Sequence, residues 1–151
     1  MARLYRQAPL NAIWEGSGNV IALDILRALQ KEPNAARALL TELSACKGAD
    51  GRLDVLTAEL KATLQSGGGG GDDAVAMVAR ARLLVDKMAI ALQAATLIRY
   101  GHEAAAEGYC ASRLPRLGGD ANGGWNYGAM SPDFGREASG RELVDRLVPA
   151  V

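Results

Sequence analysis

The segment from Ala74 to Tyr100 decides the fold, and in one-letter code it reads AVAMVARARLLVDKMAIALQAATLIRY. Its apolar residues recur every three or four positions, which is typical of an α-helix with a buried face. The residues predicted on that face are Val78, Ala81, Val85, Met88, Ala89, Leu92 and Ala95. Asp72 or Asp73 can cap the helix by accepting hydrogen bonds from its first backbone N–H groups. We therefore predict one long helix at the centre of a helical bundle.

Working outward, the same reasoning predicts three shorter helices before this segment and one after it. The first covers about residues 19–32, and the second is capped by Asn34 and stops at residues 47–51. The third starts near Arg52 and pairs with the second as a hairpin. Its apolar stripe is Leu53, Leu56, Leu60 and Leu64. A last helix at residues 141–148 closes a chain that we assign to the all-α class.

Residues 66–71 interrupt the helical pattern with one serine and five glycines. The backbone freedom of glycine disfavours regular structure there, so we predict a flexible linker. A phosphate-binding loop is the functional alternative, but it requires Lys followed by Ser or Thr after the glycines. Asp72 and Asp73 stand at those positions, and their negative charge would repel a phosphate.

Charge and composition limit the partners of this 151-residue chain. It has 17 basic and 17 acidic residues and no strongly basic half, which argues against nucleic-acid binding. Thirteen of the basic residues are Arg, however, and could still gather on one face of the fold. The Gly-rich residues 118–135 include Trp125, Tyr127 and Phe134. We predict that they form an ordered loop on the bundle, since base stacking would need more nearby cations than Arg116 and Arg136.

No membrane or metal site is predicted. No apolar run approaches the roughly 18 residues of a membrane-spanning helix, and no signal peptide is evident, so we expect a soluble cytoplasmic protein. Cys46 and Cys110 are 64 positions apart and lack metal-ligand spacing, which indicates small buried apolar residues. His102 and Glu103 could form a proton relay, but a solvated pair at a helix end is favoured.

The segment Ile13-Trp14-Glu15-Gly16-Ser17-Gly18-Asn19 could carry catalytic chemistry. It places the Glu15 carboxylate beside Ile13 and Trp14, and partial desolvation would raise its pKa and make it a better base near neutral pH. The glycines allow close approach of a ligand. The alternative is a solvated turn in which Ser17 or Asn19 caps the following helix.

Residues 3–29, RLYRQAPLNAIWEGSGNVIALDILRAL, resemble the end of the catalytic helical domain in the AidB-like branch of acyl-CoA dehydrogenases. Residues 109–114, YCASRL, and the Trp/Gly-rich segment ending at Tyr127-Gly128 are similar to the extra C-terminal domain of that branch. The resemblance implies four parts in chain order. Residues 1–32 are the end of the catalytic domain, and residues 33–65 are a helical hairpin. Residues 66–71 are the Gly-rich linker, and residues 72–151 are a long helix with its loop and closing helix.

The resemblance implies a flavoenzyme that introduces an α,β double bond into an acyl-CoA thioester. Glu15 would take the α-proton while FAD receives a hydride from the β-carbon. The residues that match the turn along the flavin are Gly16, Ser17 and Asn19. Arg27 could neutralise charge near the site, or it could form a salt bridge with Asp24 or Glu32.

Most of such an enzyme lies outside this sequence, so we expect the isolated chain to be an inactive fragment that binds no FAD. Met1 falls at an interior position of the family, as in an expressed fragment or a truncated reading frame. Members of the AidB-like branch are associated with DNA binding and protection from alkylation, which is an alternative role. A third possibility is a structural module: the apolar face of residues 20–29 would drive homo-oligomer formation or dock residues 1–30 onto the bundle.

Overall fold

The computed structural model describes residues 2–10, 18–66, 77–114 and 138–147. All regular structure within these ranges is helical, which confirms the all-α prediction. The α-helices, in chain order, are α1 (Ala2–Gln7), α2 (Gly18–Lys31), α3 (Pro33–Ser44), α4 (Gly51–Ser66), α5 (Ala81–Tyr100), α6 (Glu103–Arg113) and α7 (Ala138–Leu147). A short 3-10 helix, Ala8–Leu10, follows α1, and a helical turn at residues 77–79 precedes α5. None of the described helices is long and apolar enough to cross a membrane.

Helix α5 lies at the centre of the bundle, as predicted, because α2, α3, α4 and α6 all pack against it. Its buried residues are Ala81, Leu84, Ala91, Ala94 and Ala95. The predicted face was partly wrong, since Val78, Ala89 and Leu92 are exposed. Apolar residues surround most of this helix, and the alanine-rich stripe faces the neighbours because small side chains permit close helix packing.

Helices α2 and α3 run along α5 in the same direction. Asn19 of α2 contacts Arg82 near the start of α5, and Glu42 of α3 pairs with Arg99 near its end. Only Glu32 separates α2 from α3, and Pro33 is the first residue of α3. Proline suits that position because its missing N–H would have no helical partner there. The two helices therefore form one rod with a break at Glu32.

The predicted Asn34 cap was wrong. Glu32 holds the N-cap position of α3, without a side-chain hydrogen bond. Asn34 lies within the helix, and its Oδ1 accepts a hydrogen bond from Arg37 at 2.9 Å. Because Pro33 already has the φ angle of a helix, α3 starts one residue before Asn34.

Helix α4 returns antiparallel to α5 and supplies much of the core. The chain reverses after Cys46, whose Sγ lies 3.5 Å from the Ala95 carbonyl oxygen, and Glu59 of α4 pairs with Lys87 nearer the start of α5. The predicted leucine stripe is confirmed: Leu53, Leu56 and Leu60 are at most 1% exposed, and Leu64 packs beside them. Burying one leucine side chain stabilises the fold by about 1.5–3 kcal/mol.

The last two described helices, α6 and α7, pack against α5 and α6, respectively. α6 folds back antiparallel on α5, so that Tyr109 donates a hydrogen bond to Gln93. α7 packs against α6 and agrees closely with the closing helix predicted at 141–148. The predicted linker at 66–71 and the aromatic loop at 118–135 fall almost entirely outside the described residues, as do the proposed Asp72 and Asp73 caps.

Candidate functional site

The predicted catalytic and flavin-binding residues divide into two groups. Glu15, Gly16 and Ser17 lie outside the described residues, whereas Asn19 and Arg27 are exposed on α2. Asn19 is the second residue of this helix and not its cap, because α2 begins at Gly18. Arg27 lies eight residues further on, about 12 Å along the helix axis.

Asn19 is joined to α5 by a hydrogen bond between residues that are distant in sequence. Arg82 Nη1 donates to Asn19 Oδ1 at 3.2 Å. The Arg82 guanidinium also lies beside Gly18, where an added Cβ would stand 2.7 Å from Nη1 and 2.9 Å from Cζ. Glycine at position 18 therefore provides the space in which Arg82 reaches the start of α2.

Arg27 forms an ion pair with Asp24, which is one of the two pairs predicted as alternatives to a contact with the flavin. Its Nη1 lies 2.7 Å from Asp24 Oδ1, with the two side chains 69% and 61% exposed. Exposed pairs of this kind contribute about 0–1 kcal/mol, so this pair adds little to stability. A role for Arg27 beside a flavin stays a prediction.

A second polar group lies toward the other end of α5, where Arg52 connects the start of α4 to α6. Its guanidinium binds Asp50 through Nη2 at 2.7 Å and through Nε at 3.1 and 3.2 Å. Nη2 also donates to Glu107 Oε2 at 2.8 Å. Asp50 in turn caps α4 by accepting hydrogen bonds from the backbone N–H groups of Arg52 and Leu53. One carboxylate thus serves both as a helix cap and as a partner of a half-buried arginine.

The environment of Asp50 alters the titration of its neighbours. Burial alone would raise the pKa of Asp50, but hydrogen bonds from the Arg52 side chain and backbone outweigh burial and lower it. Burial raises the pKa of Cys110 to about 12, and the nearby Asp50 charge acts in the same direction. Burial likewise raises the pKa of Cys46. Both cysteines are free and buried, as predicted, and both are protonated near neutral pH.

This polar group borders a cleft of about 660 Å³ between α6, α7 and the turn before α4. The cleft is lined by Ala49, Asp50, Ile98, Glu103, Ala106, Glu107, Cys110, Ala138 and Glu142. Three of its carboxylates have protein partners of their own: Asp50 and Glu107 pair with Arg52, and Glu142 pairs with His102. No set of three or more His, Cys, Asp and Glu side chains among the described residues could hold a metal ion.

His102 has a structural role at the start of α6. Its Nδ1 accepts a hydrogen bond from the Ala104 backbone N–H at 3.3 Å, and its Nε2 lies 3.2 Å from Glu142 Oε1 in α7. The favoured prediction of a solvated pair with Glu103 was partly wrong: His102 does lie at a helix end, but it is part-buried as the N-cap of α6, and its carboxylate neighbour is Glu142 of α7.

The sequence did not predict the polar group formed by Asp50, Arg52 and Glu107. Asp50 had a recognisable signal, since an Asp directly before a helix with an apolar stripe is a common N-cap. The Arg52–Glu107 pair had none, because 55 residues separate its members.

One comparison with known proteins found a relative that matches part of the chain. Over 65 residues, or 43% of its length, the chain is 40% identical to a protein of Escherichia coli (strain K12) named "Putative acyl-CoA dehydrogenase AidB". The match spans 12% of that protein. No family model and no solved structure matches the chain. The similarity supports a relationship to the acyl-CoA dehydrogenases, carried by part of the chain.

Proposed function

We propose that this chain acts as part of a flavin-dependent acyl-CoA dehydrogenase of the AidB-like branch. The observation that carries the proposal is the 40% identity over 65 residues to the Escherichia coli protein. The resemblance of residues 3–29 to the end of the family's catalytic helical domain gives Glu15 the role of base. In this reaction Glu15 removes the α-proton of an acyl-CoA thioester.

The described flavin-site candidates differ in how well they suit a bound cofactor. When bound, FAD would accept the hydride from the β-carbon. Asn19 fits the position of a flavin ligand because it is exposed in the first turn of α2, where its side-chain amide can meet a cofactor atom. Arg27 fits less well, since its guanidinium is already paired with Asp24.

A test of the proposal is the replacement Glu15→Gln in the flavin-loaded protein purified from its source cells. Acyl-CoA is added without oxygen, and the loss of the flavin absorbance band is followed. Without the base, the rate should fall by about 10²–10⁴-fold. Glu32→Gln is the matched control, because Glu32 is an exposed carboxylate on the same rod of helices. An unchanged rate in Glu15→Gln, or a source protein without flavin, would refute the proposal.

The same proposal makes a separate statement about the isolated 151-residue chain. The segment that matches the Escherichia coli protein is 12% of that protein's length, so most of a complete flavin site would come from residues beyond this sequence. We expect FAD titrated into the isolated chain to show no change in flavin fluorescence. Stoichiometric binding would contradict that expectation.

We also propose that the isolated chain self-associates, because apolar side chains are exposed near its N-terminus. Residues 3–10 are all exposed. The large apolar residues exposed in α1, the 3-10 helix and the first turns of α2 are Leu4, Tyr5, Leu10, Val20 and Ile21. The other face of α2 packs on the bundle through Ala22 and Leu26, so the exposed apolar side chains are those that the bundle does not cover.

Light scattering tests this association. A Leu4→Ser and Tyr5→Ser double variant should shift the mass toward the monomer, since the apolar area is lost. Val55→Ser is the control, because Val55 is 52% exposed on α4, away from this surface. A monomeric wild-type chain at all concentrations would exclude self-association.

The described residues give less support to DNA binding. The side chains of Arg27, Arg52 and Arg99 are each paired with a carboxylate. Such pairs reduce the positive charge that would neutralise phosphates.

A further inference from the structure

We propose that Arg82 is a positioning residue that fixes the orientation of the Asn19 side-chain amide toward a bound flavin. The proposal rests on the proposed function, in which Asn19 contacts the cofactor. Arg82 itself belongs to α5 and matched no motif in the sequence.

The chemistry of the two side chains determines which end of the amide faces which neighbour. A guanidinium has five N–H donors and no acceptor. The Asn19 atom at 3.2 Å from Arg82 Nη1 must therefore be the carbonyl oxygen, Oδ1. The amide nitrogen, Nδ2, consequently points away from Arg82. A ligand that meets Nδ2 must offer a hydrogen-bond acceptor, such as a carbonyl or phosphate oxygen of the flavin.

Two further residues adjoin Arg82. Asp86, one turn along α5, lies 3.8 Å from Arg82 Nε in an exposed ion pair. The guanidinium also occupies the space beside Gly18, where a Cβ would stand 2.7 Å from Nη1. Any side chain at position 18 would push the flexible end of Arg82 away from Asn19.

Without Arg82, the Asn19 amide could rotate and present either Oδ1 or Nδ2 to a ligand. Rotation of the amide by half a turn would place Asn19 Oδ1, a hydrogen-bond acceptor, against the acceptor atom of the flavin. We infer that the Arg82–Asn19 contact removes this alternative before the cofactor binds, so that less conformational freedom is lost on binding.

The first experiment uses the full 151-residue chain without any cofactor. NMR spectra record the two Nδ2–H resonances of Asn19, assigned by their loss in Asn19→Ala. Arg82→Ala should shift these resonances and bring their shifts toward those of a freely rotating amide. Gly18→Ala should produce a similar change through steric displacement, and Arg82→Lys should restore part of the wild-type pattern because lysine can still donate to Oδ1.

The chain offers a closely matched control. Arg37 donates to Asn34 Oδ1 at 2.9 Å in another exposed Arg–Asn pair, on α3. Arg37→Ala removes a hydrogen bond of the same kind and should leave the Asn19 resonances unchanged. Unchanged Asn19 resonances in Arg82→Ala, or equal changes in Arg37→Ala, would overturn the proposal.

The second experiment separates this proposal from the proposed function. In the flavin-loaded source protein, Asn19→Ala should weaken FAD binding by about two- to twelvefold, as expected for one hydrogen bond. Arg82→Ala should cause no larger loss, and the double variant should lose no more than Asn19→Ala alone. Additive losses would overturn the positioning role. If Glu15→Gln keeps the wild-type rate while Arg82→Ala still changes the Asn19 resonances, only the proposed function fails.

Discussion

Replacing Asp50 with alanine should destabilise the bundle far more than replacing an exposed carboxylate. The substitution removes the cap of α4, which costs about 1 kcal/mol. It also removes the charge-assisted hydrogen bonds to Arg52, worth about 1.5–3 kcal/mol, from an arginine whose side chain is only 21% exposed. The total loss should be about 3 kcal/mol in the free energy of unfolding. Arg52 would keep Glu107 as its partner, which limits the cost of leaving a half-buried charge.

Urea unfolding followed by circular dichroism measures this loss, and two further variants separate its causes. Asp50→Asn keeps a side-chain oxygen for the cap but loses the charge, so it should cost about 2 kcal/mol. Asp24→Ala removes an exposed Arg–carboxylate pair and should cost no more than about 0.5 kcal/mol. If Asp50→Ala costs less than about 1 kcal/mol, or no more than Asp24→Ala, the role assigned to Asp50 is refuted.

Three other outcomes follow from the same structure. Because the folded-state pKa of Asp50 is lowered, its stabilisation is complete above the unfolded pKa near 4 and is lost as pH falls through the lower folded value. The difference in urea midpoint between wild type and Asp50→Asn should therefore shrink between about pH 5 and pH 2, and a constant difference would contradict this assignment. Cys46 and Cys110 are buried and protonated, so a thiol reagent at pH 8 should react slowly with the folded chain. In urea the same reagent should react with two thiols per chain. Rapid reaction of the folded protein would argue against this burial. Leu56→Ala should cost about 2–5 kcal/mol by urea unfolding, against well under 1 kcal/mol for Val55→Ala, and equal losses would show that Leu56 is not in the core.

The buried face of a helix could be predicted from the sequence where apolar residues form a narrow stripe on one side of that helix. In α4, leucines at helical spacing stand out against polar neighbours, and Leu53, Leu56 and Leu60 are buried as expected. In α5, apolar residues occupy nearly every side, so the pattern could not show which stripe faces the core. Ala91 and Ala94 are buried but were not predicted on the core face, because alanine contributes little hydrophobicity. Their small side chains nevertheless allow the neighbouring helices to approach α5.

The candidate site was less predictable because its contacts join distant parts of the chain. The Asn19–Arg82 hydrogen bond spans 63 residues, and no local motif marks Arg82. The family resemblance was the only reason to expect Asn19 beside a flavin. The other residues that it names, Glu15, Gly16 and Ser17, lie outside the described residues. The Arg27–Asp24 pair, by contrast, joins neighbours on one helix face, and local spacing was enough to suggest it.

The central position of α5 has a consequence for synthesis of the protein on the ribosome. Helices α2, α3 and α4 are all made before α5, which is the helix that each of them packs against. After Ser66 is added, 34 residues remain until Tyr100, which takes about 2–7 s at typical rates of elongation. During that interval Leu56 and Leu60 lack their final partner, so the nascent N-terminal half should be a ready substrate for chaperones that bind exposed apolar helices.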